Sequence, residues 1–352
     1  MTVEDLPEDL DLGHRFTASP DLIVWGLGML GGRVLERVAR RHPHRTFAAV
    51  TGDPGRAIAM GANVVPTNLD VLAGNQAPIL VCVADNEGDI LRDYLARGDI
   101  EASRAAVARS NHRLIAGYLD PERWRDRPVL VVTNPVEVLC TSLAEITGNP
   151  SVYGVGMQID EQRCLDVLAA GWEITLAPGE LPVTGAHVVE PLPVLSAVPG
   201  LADRISAEPW SVVTSRLQAA AEDLRLDWVR RPERMAAVFE RRGPMPPADP
   251  HGRVAVAVAA LMSAEFDQLR PPVDRAIGHI ADLVDSWLDG GSVAVSGPCQ
   301  LPANGPEPVY LGGVLDVPSG VFRVPDLAAE EVELALGQVA RLRALTATVG
   351  SR

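Results

Sequence analysis

The sequence predicts an α/β protein: a doubly wound parallel sheet followed by a C-terminal α+β domain. Three observations predict it. Short apolar runs alternate with stretches of helical periodicity through the first part of the chain, the pattern of β–α–β units. A glycine triplet, Gly26-Leu27-Gly28-Met29-Leu30-Gly31, joins the first apolar run to the first helix. Near the end, three strand-like runs precede one long helical pattern, which marks a second, mixed layer.

Composition bounds what such a fold can do. The chain has 352 residues, enough for two domains. Hydrophobic residues make up 47% and charged residues 22%, which suits a sizeable core. The formal net charge is -15, and apart from His every basic residue is Arg. That balance argues against a nucleic-acid binder, which carries a basic face. Cys82, Cys140, Cys164 and Cys299 form no C-x-x-C pair, so buried reduced thiols are expected rather than disulfides, and no metal site. The N-terminal MTVEDLPEDLDLGHRF is acidic and lacks an apolar signal core. The longest apolar run, Val254 to Met262, falls short of the roughly 18 residues that span a bilayer. A cytoplasmic protein with no membrane partner is the expectation.

In chain order, residues 1–20 read as a loose acidic arm. Asp21 to Trp25 is a short strand leading into Gly26, Gly28 and Gly31 and then a helix with Val34, Leu35 and Val38 on one face. G-x-G-x-x-G between strand and helix is the dinucleotide-binding turn of Rossmann-type sheets. The first glycine permits the turn, the second lets a pyrophosphate approach the backbone, and the third lets the helix pack. A second strand, Phe47 to Val50, ends at Thr51, where such folds place an acidic residue for the ribose 2'-hydroxyl. Thr51, Gly52 and nearby Arg56 would accept a 2'-phosphate, which tilts the NAD(P) cofactor toward NADP. The rival is NAD, with Asp53 supplying the missing carboxylate.

An apolar strand at Pro78 to Val83 is followed by a long polar stretch, Asp85 to Glu101, carrying Arg92 and Arg97; long polar connections of this kind often act as lids. Arg104 begins the next helix, where it either arrives on closure to polarise a carbonyl or lies solvated on the surface. Arg127 to Asn134 is a strand ending in a polar pair. Ligands sit beyond the carboxyl ends of such strands, so Asn134 is placed to contact substrate or nicotinamide ribose, or else caps the helix starting near Val136.

Ser151 to Gly156 reads as another strand, and beyond it Asp160 and Arg163 lie three apart on a helix and share a face. They form either a surface ion pair or, with His187 further on, a proton relay. A carboxylate beside an imidazole favours its charged form, which can donate a proton to a carbonyl. Helices are expected over 211–227, 232–242, 252–266 and 272–288, broken by Pro244 to Pro250. Strands are expected over 292–296, 308–315 and 320–324, then a helix over 327–347. The expected division is an arm, 1–20, a dinucleotide-binding domain, 21–150, and an α+β catalytic domain, 151–352.

The order of these parts resembles the lactate/malate dehydrogenase family from about Asp21 to Leu345. Val132-Thr133-Asn134-Pro135-Val136-Glu137 resembles its T/S-N-P-V-D strand end. Gly154 to Arg163 resembles its G-x-G-x-x-L-D-x-x-R element. His187 falls where the family has its catalytic histidine, with Pro193-Val194 after it, and Val309 to Gly312, Ser319-Gly320 and the last helix also match. The resemblance implies an NAD(P)-dependent oxidoreductase interconverting 2-oxo and 2-hydroxy acids, and a homodimer or homotetramer. It makes His187 the proton carrier, Asp160 its partner, Arg163 the carboxylate grip, Arg104 the lid arginine, Arg97 a substrate selector, and Asn134 a contact to substrate and cofactor. The family's G-E-H-G-D-S is here Gly185-Ala186-His187-Val188-Val189-Glu190, so the polar support of the imidazole is thinned. The lid and the region from His187 to Ala276 are enlarged, and Gly252 and Val273 are both matches for the family's pocket residue. These departures imply a bulkier or carrier-bound substrate. A non-catalytic binding or regulatory protein on the same scaffold is the alternative. An NAD-dependent glycosidase is a weaker third reading, because no Cys/His metal pair is evident.

Overall fold

A computed structural model describes residues 19–72, 75–85, 100–187, 190–205, 274–299 and 309–350. The first four parallel strands are β1 (Leu22–Trp25), β2 (Phe47–Val50), β3 (Val64–Thr67) and β4 (Ile79–Val81). β5 (Val129–Val131) and β6 (Val152–Gly154) complete the parallel set. Their spatial order is β3-β2-β1-β4-β5-β6, the order of a dinucleotide-binding sheet, with its switch point between β1 and β4. All but β3 are uniformly buried, which is why they read as continuous apolar runs rather than alternating ones.

Helices cover both faces. They are α1 (Met29–Arg41), α2 (Pro54–Met60), α3 (Ile100–Ala116), α4 (Pro121–Trp124), α5 (Val136–Thr147) and α6 (Met157–Trp172). Val34, Leu35 and Val38 of α1 are buried, as their spacing predicts. The α2–β3 pair was not legible in the sequence. Asp53 caps α2 by accepting the Arg56 N–H at 3.1 Å, and Pro54 opens the helix.

β7 (Val183–Ala186) and β8 (Glu190–Pro193) form a separate antiparallel hairpin. A short helix, α7 (Leu201–Ile205), follows, and then α8 (Asp274–Leu288). The three late strands are β9 (Ser292–Cys299), β10 (Val309–Asp316) and β11 (Val321–Arg323), and α9 (Ala329–Gly350) closes the chain. These strands do not stand apart. β9 pairs antiparallel with β6 through Gly154 and Ser296, so β6-β9-β10-β11 continues the sheet to nine strands. The sheet therefore runs across the expected division at residue 150. Residues 1–18, Arg92, Arg97, Val188, Val189, Gly252, Val273 and the helices expected over 211–266 lie outside the described residues. Among the described residues no helix is long and apolar enough to cross a membrane.

Candidate active site

The glycine turn is built as its sequence predicts. Gly26 has φ +99°, a conformation that L side chains rarely adopt. A Cβ on Gly31 would lie 2.1 Å from the Gly26 carbonyl oxygen and 2.7 Å from Cys82 Cβ, so this helix start packs against β4 only without a side chain. At Gly28 a Cβ would meet nothing within 4 Å, which leaves open space over the turn. Gly28 is also the N-cap of α1 and supplies no side-chain cap. The first N–H groups of the helix are thus left for a ligand, the arrangement that receives an anion. A dinucleotide pyrophosphate fits this cradle.

Of Thr51 and Arg56, Arg56 reaches the same turn. The Thr51 hydroxyl accepts the Asp53 N–H at 3.0 Å, and Arg56 Nη2 donates to the Gly28 carbonyl oxygen at 3.3 Å. A guanidinium lies across the turn where the sequence pattern lacks a carboxylate. Asp53 spends one oxygen on the α2 cap.

Beyond the carboxyl ends of β5 and β6 the structure brings together Asp160 and His187. Asp160 lies in the first turn of α6, fully buried, where the helix dipole favours a negative charge. His187 follows β7 at the head of the hairpin and is 9% exposed. His187 Nδ1 and Asp160 Oδ2 are 2.6 Å apart. This is the distance of a charge-assisted hydrogen bond, and it leaves Nε2 as the atom free to exchange a proton. Gly156 makes the contact possible. A Cβ there would lie 2.3 Å from His187 Cε1, 2.4 Å from Nδ1 and 2.5 Å from Nε2, so the imidazole packs flat against the backbone that starts α6.

The sequence reading missed Glu137. It lies in the first turn of α5, 2% exposed, and its Oε1 accepts both the His187 backbone N–H and the Ser296 hydroxyl at 2.8 Å. Burial pushes its carboxyl above the usual carboxylate range, opposed by His187, by Ser296 and by its own N–H. The signal was present in the strand-end motif, but only the fold carries β7 and β9 to it.

The remaining expected residues are placed by their backbones. Arg163 is one turn along α6 from Asp160, and Arg104 is in the first turns of α3. Asn134 is exposed at the end of β5, and Asn111 Nδ2 donates to its carbonyl oxygen at 2.7 Å. The N-cap of α5 is Pro135, with no side-chain cap bond. Asn134 is therefore not the helix cap, one of the two readings left open, and its side chain stays available at the strand end. Cys82 lies under the glycine turn, and burial pushes its thiol up to about 12. None of the four cysteines is in a disulfide, and no cluster of metal-ligating side chains occurs among the described residues.

A glycine turn open at its helix N-terminus and a buried carboxylate–imidazole pair at another strand end are the two chemically equipped features of this α/β protein. No family model matches the chain. It is 25% identical over 142 residues to the malate dehydrogenase of Methanococcus maripaludis, a match taking in 40% of this chain and 44% of that protein. The chain thus spans less than half the length of the curated relative it matches. In fold it is similar to the lactate dehydrogenase from Cryptosporidium parvum in complex with lactic acid and β-nicotinamide adenine dinucleotide. The TM-score is 0.57 at 16% identity, over 95% of this chain and 99% of that one. A second structure of that lactate dehydrogenase gives 0.50, also at 16%, over 94% and 98%. These solved structures share the fold of this chain, and the likeness to the malate dehydrogenase is confined to part of each sequence.

Proposed function

We propose that this protein is an NAD(P)-dependent oxidoreductase that interconverts a 2-oxo acid and a 2-hydroxy acid. The observation that carries the reading is the 2.6 Å Asp160–His187 contact, buried beside the carboxyl ends of β5 and β6. The nicotinamide cofactor supplies the hydride. His187, oriented through Nδ1 by Asp160, gives the proton from Nε2 to the carbonyl oxygen in reduction and takes it back from the alcohol in oxidation. Asp160 balances the imidazolium and fixes which ring nitrogen faces the substrate. Arg163 grips the substrate carboxylate, a task suited to a planar fork of donors. Arg104, with Arg97, meets the carbonyl and the far end of the substrate, and Asn134 contacts substrate and ribose.

Arg56 beside Gly28, with Thr51 at the end of β2, supports NADP over NAD, because a guanidinium there pairs with a 2'-phosphate. Asp53, engaged as a helix cap, is less free to hold a 2'-hydroxyl. The enlarged stretches of sequence, before Arg97 and between His187 and Ala276, support a substrate bulkier than pyruvate or oxaloacetate, free or carrier-bound. The protein acts in the cytoplasm as a homodimer or homotetramer.

Nicotinamide fluorescence tests the reading. NADH and NADPH are titrated separately, and a panel of 2-oxo acids, small to bulky and mono- to dicarboxylic, is then added. Tighter NADPH binding and turnover of a panel member, lost in His187→Ala, are expected. Binding of neither cofactor would overturn the enzyme reading in favour of a regulatory protein on this scaffold.

A further inference from the structure

The imidazole of His187 is held by one carboxylate, but the residue is held by two. Asp160 approaches the ring from α6, and Glu137 approaches the peptide from α5. Neither acid flanks His187 in sequence, where Ala186 precedes it and Val188 follows. Glu137 reaches it across the sheet, fifty residues away along the chain.

Burying an acid to 2% exposure is costly unless something offsets it. Five features oppose that cost here, although burial remains the largest influence and holds the carboxyl above the usual carboxylate range. The carboxyl sits in the first turn of α5, whose dipole favours a negative charge. Its own N–H, the His187 N–H and the Ser296 hydroxyl all act on it and lower its proton affinity. The Coulombic influence of His187 acts in the same sense. Three of these are hydrogen-bond donors, which an ionised carboxylate accepts and a methylene or an amide nitrogen does not. An acid kept only for packing would need none of them.

We infer that Glu137 is the second counter-charge of His187: a positioning residue that clamps the histidine peptide and stabilises the imidazolium. It rests on the proposed proton role of His187, and it assigns to the site a carboxylate that the proton relay does not use. Among the described residues, the titratable group that acts on Glu137 is His187, from the hairpin, which Asp160 of α6 holds from its other side. Cys140 lies one turn along α5, its thiol pushed up by burial and by the Glu137 charge, and Tyr310 on β10 faces Cys140. Of these, His187 alone bonds Glu137 and can take a positive charge, so it is the group that responds.

The geometry also explains why Ser296 is a serine in a strand that is otherwise apolar where it is buried. β9 brings its hydroxyl under Glu137 at the one point where β9 pairs with β6. The C-terminal strands thereby reach His187 through the Ser296 hydroxyl and the Glu137 carboxylate.

The test is nitrogen NMR of the histidine rings in full-length protein labelled with 15N-histidine, without substrate. His187→Asn identifies the His187 signals among the seven histidines. At one pH near neutrality, Glu137→Gln is expected to lower the ratio of imidazolium to neutral ring at His187 about tenfold, with the other histidines unchanged. Ser296→Ala, which removes a donor and keeps the acid, is expected to shift the same signals in the same sense by less. Unchanged His187 signals in a folded Glu137→Gln protein would overturn the inference and leave Glu137 a neutral packing group. Should Glu137→Gln not fold, Ser296→Ala decides: a shift confined to His187 supports the inference and no shift overturns it. These readings need no turnover, so they stand apart from the dehydrogenase proposal. Where turnover is measured, Glu137→Gln lowers kcat and leaves the cofactor KM unchanged, whereas loss of fold would lower both binding and rate.

Discussion

Gly156→Ala puts one methyl group where the imidazole lies. The added carbon would be 2.3 Å from His187 Cε1 and 2.4 Å from Nδ1. Ordinary contact is about 3.4 Å or more, so the ring must withdraw by about 1 Å or the first turn of α6 must shift by as much. Either movement pulls His187 Nδ1 off Asp160, since the two are only 2.6 Å apart and both are buried. Alanine is also strained at φ +150°, costing about 1–3 kcal/mol. Losing a charge-assisted hydrogen bond adds roughly 1.5–3 kcal/mol. The expected total is a stability loss of about 2.5–6 kcal/mol. Misplacing a proton carrier by about 1 Å lowers the rate by roughly 10²-fold. Denaturant unfolding followed by circular dichroism reads the first quantity. Steady-state oxidation of the reduced nicotinamide reads the second, with cofactor affinity expected to be unchanged because the glycine turn is elsewhere. A Gly156→Ala protein as stable as the parent, with turnover within about threefold, would refute the reasoning.

Other outcomes follow from the same geometry. Asp160→Asn keeps the size of the side chain and removes its charge; turnover should fall by about 10²-fold or more while cofactor binding, read by fluorescence, stays the same. Arg56→Ser should weaken NADPH at least about tenfold and leave NADH within a factor of about two, and equal losses for both would count against a 2'-phosphate contact. Arg127→Met should destabilise by about 3 kcal/mol or more in urea titration. Its buried guanidinium donates to the carbonyl oxygens of Arg123, Ala77, Leu72 and Asn75, and the substitution strands all four. Cys82 should resist iodoacetamide at pH 8. Its raised pKa means that the thiolate forms only as pH climbs toward about 12. Labelling should therefore still rise with each pH unit above the ordinary thiol range, and a plateau near pH 9 would contradict the burial.

The parts of this fold that were legible in the sequence are those whose cause is local. Gly26, Gly28 and Gly31 announce their turn because strand, turn and helix follow one another directly. Asp160 and His187 read from their residue types as one of two alternatives, and the resemblance favoured the pair, since nothing in their spacing brings residues 160 and 187 together. What was hidden depends on contacts made across the sheet. Glu137 reads as an ordinary acid at a helix start until β7 and β9 arrive. Arg127 reads only as the first residue of an apolar strand, yet it precedes the strand, buried and satisfied by four carbonyl oxygens. The pair formed by Pro54–Met60 and Val64–Thr67 is short enough that neither periodicity can be seen. The strands from Ser292 onward were legible as strands, but their union with β6 was not, because one residue pair makes it.

That union has a mechanical consequence. In many two-lobed enzymes a flexible waist separates the lobe that carries the cofactor from the lobe that carries the acid, and closing the waist assembles the reaction centre. Here a continuous ribbon of hydrogen-bonded backbone runs from β3 to β11. Gly154 and Ser296 lie at its joint, Gly154 two residues before Gly156 and Ser296 in contact with Glu137. The distance between the glycine turn and the Asp160–His187 pair is thus written into the stiffness of a single plank. Substitutions far out on β10 or β11 that bend the plank should be felt at His187 as a change in rate before they are felt as a loss of fold.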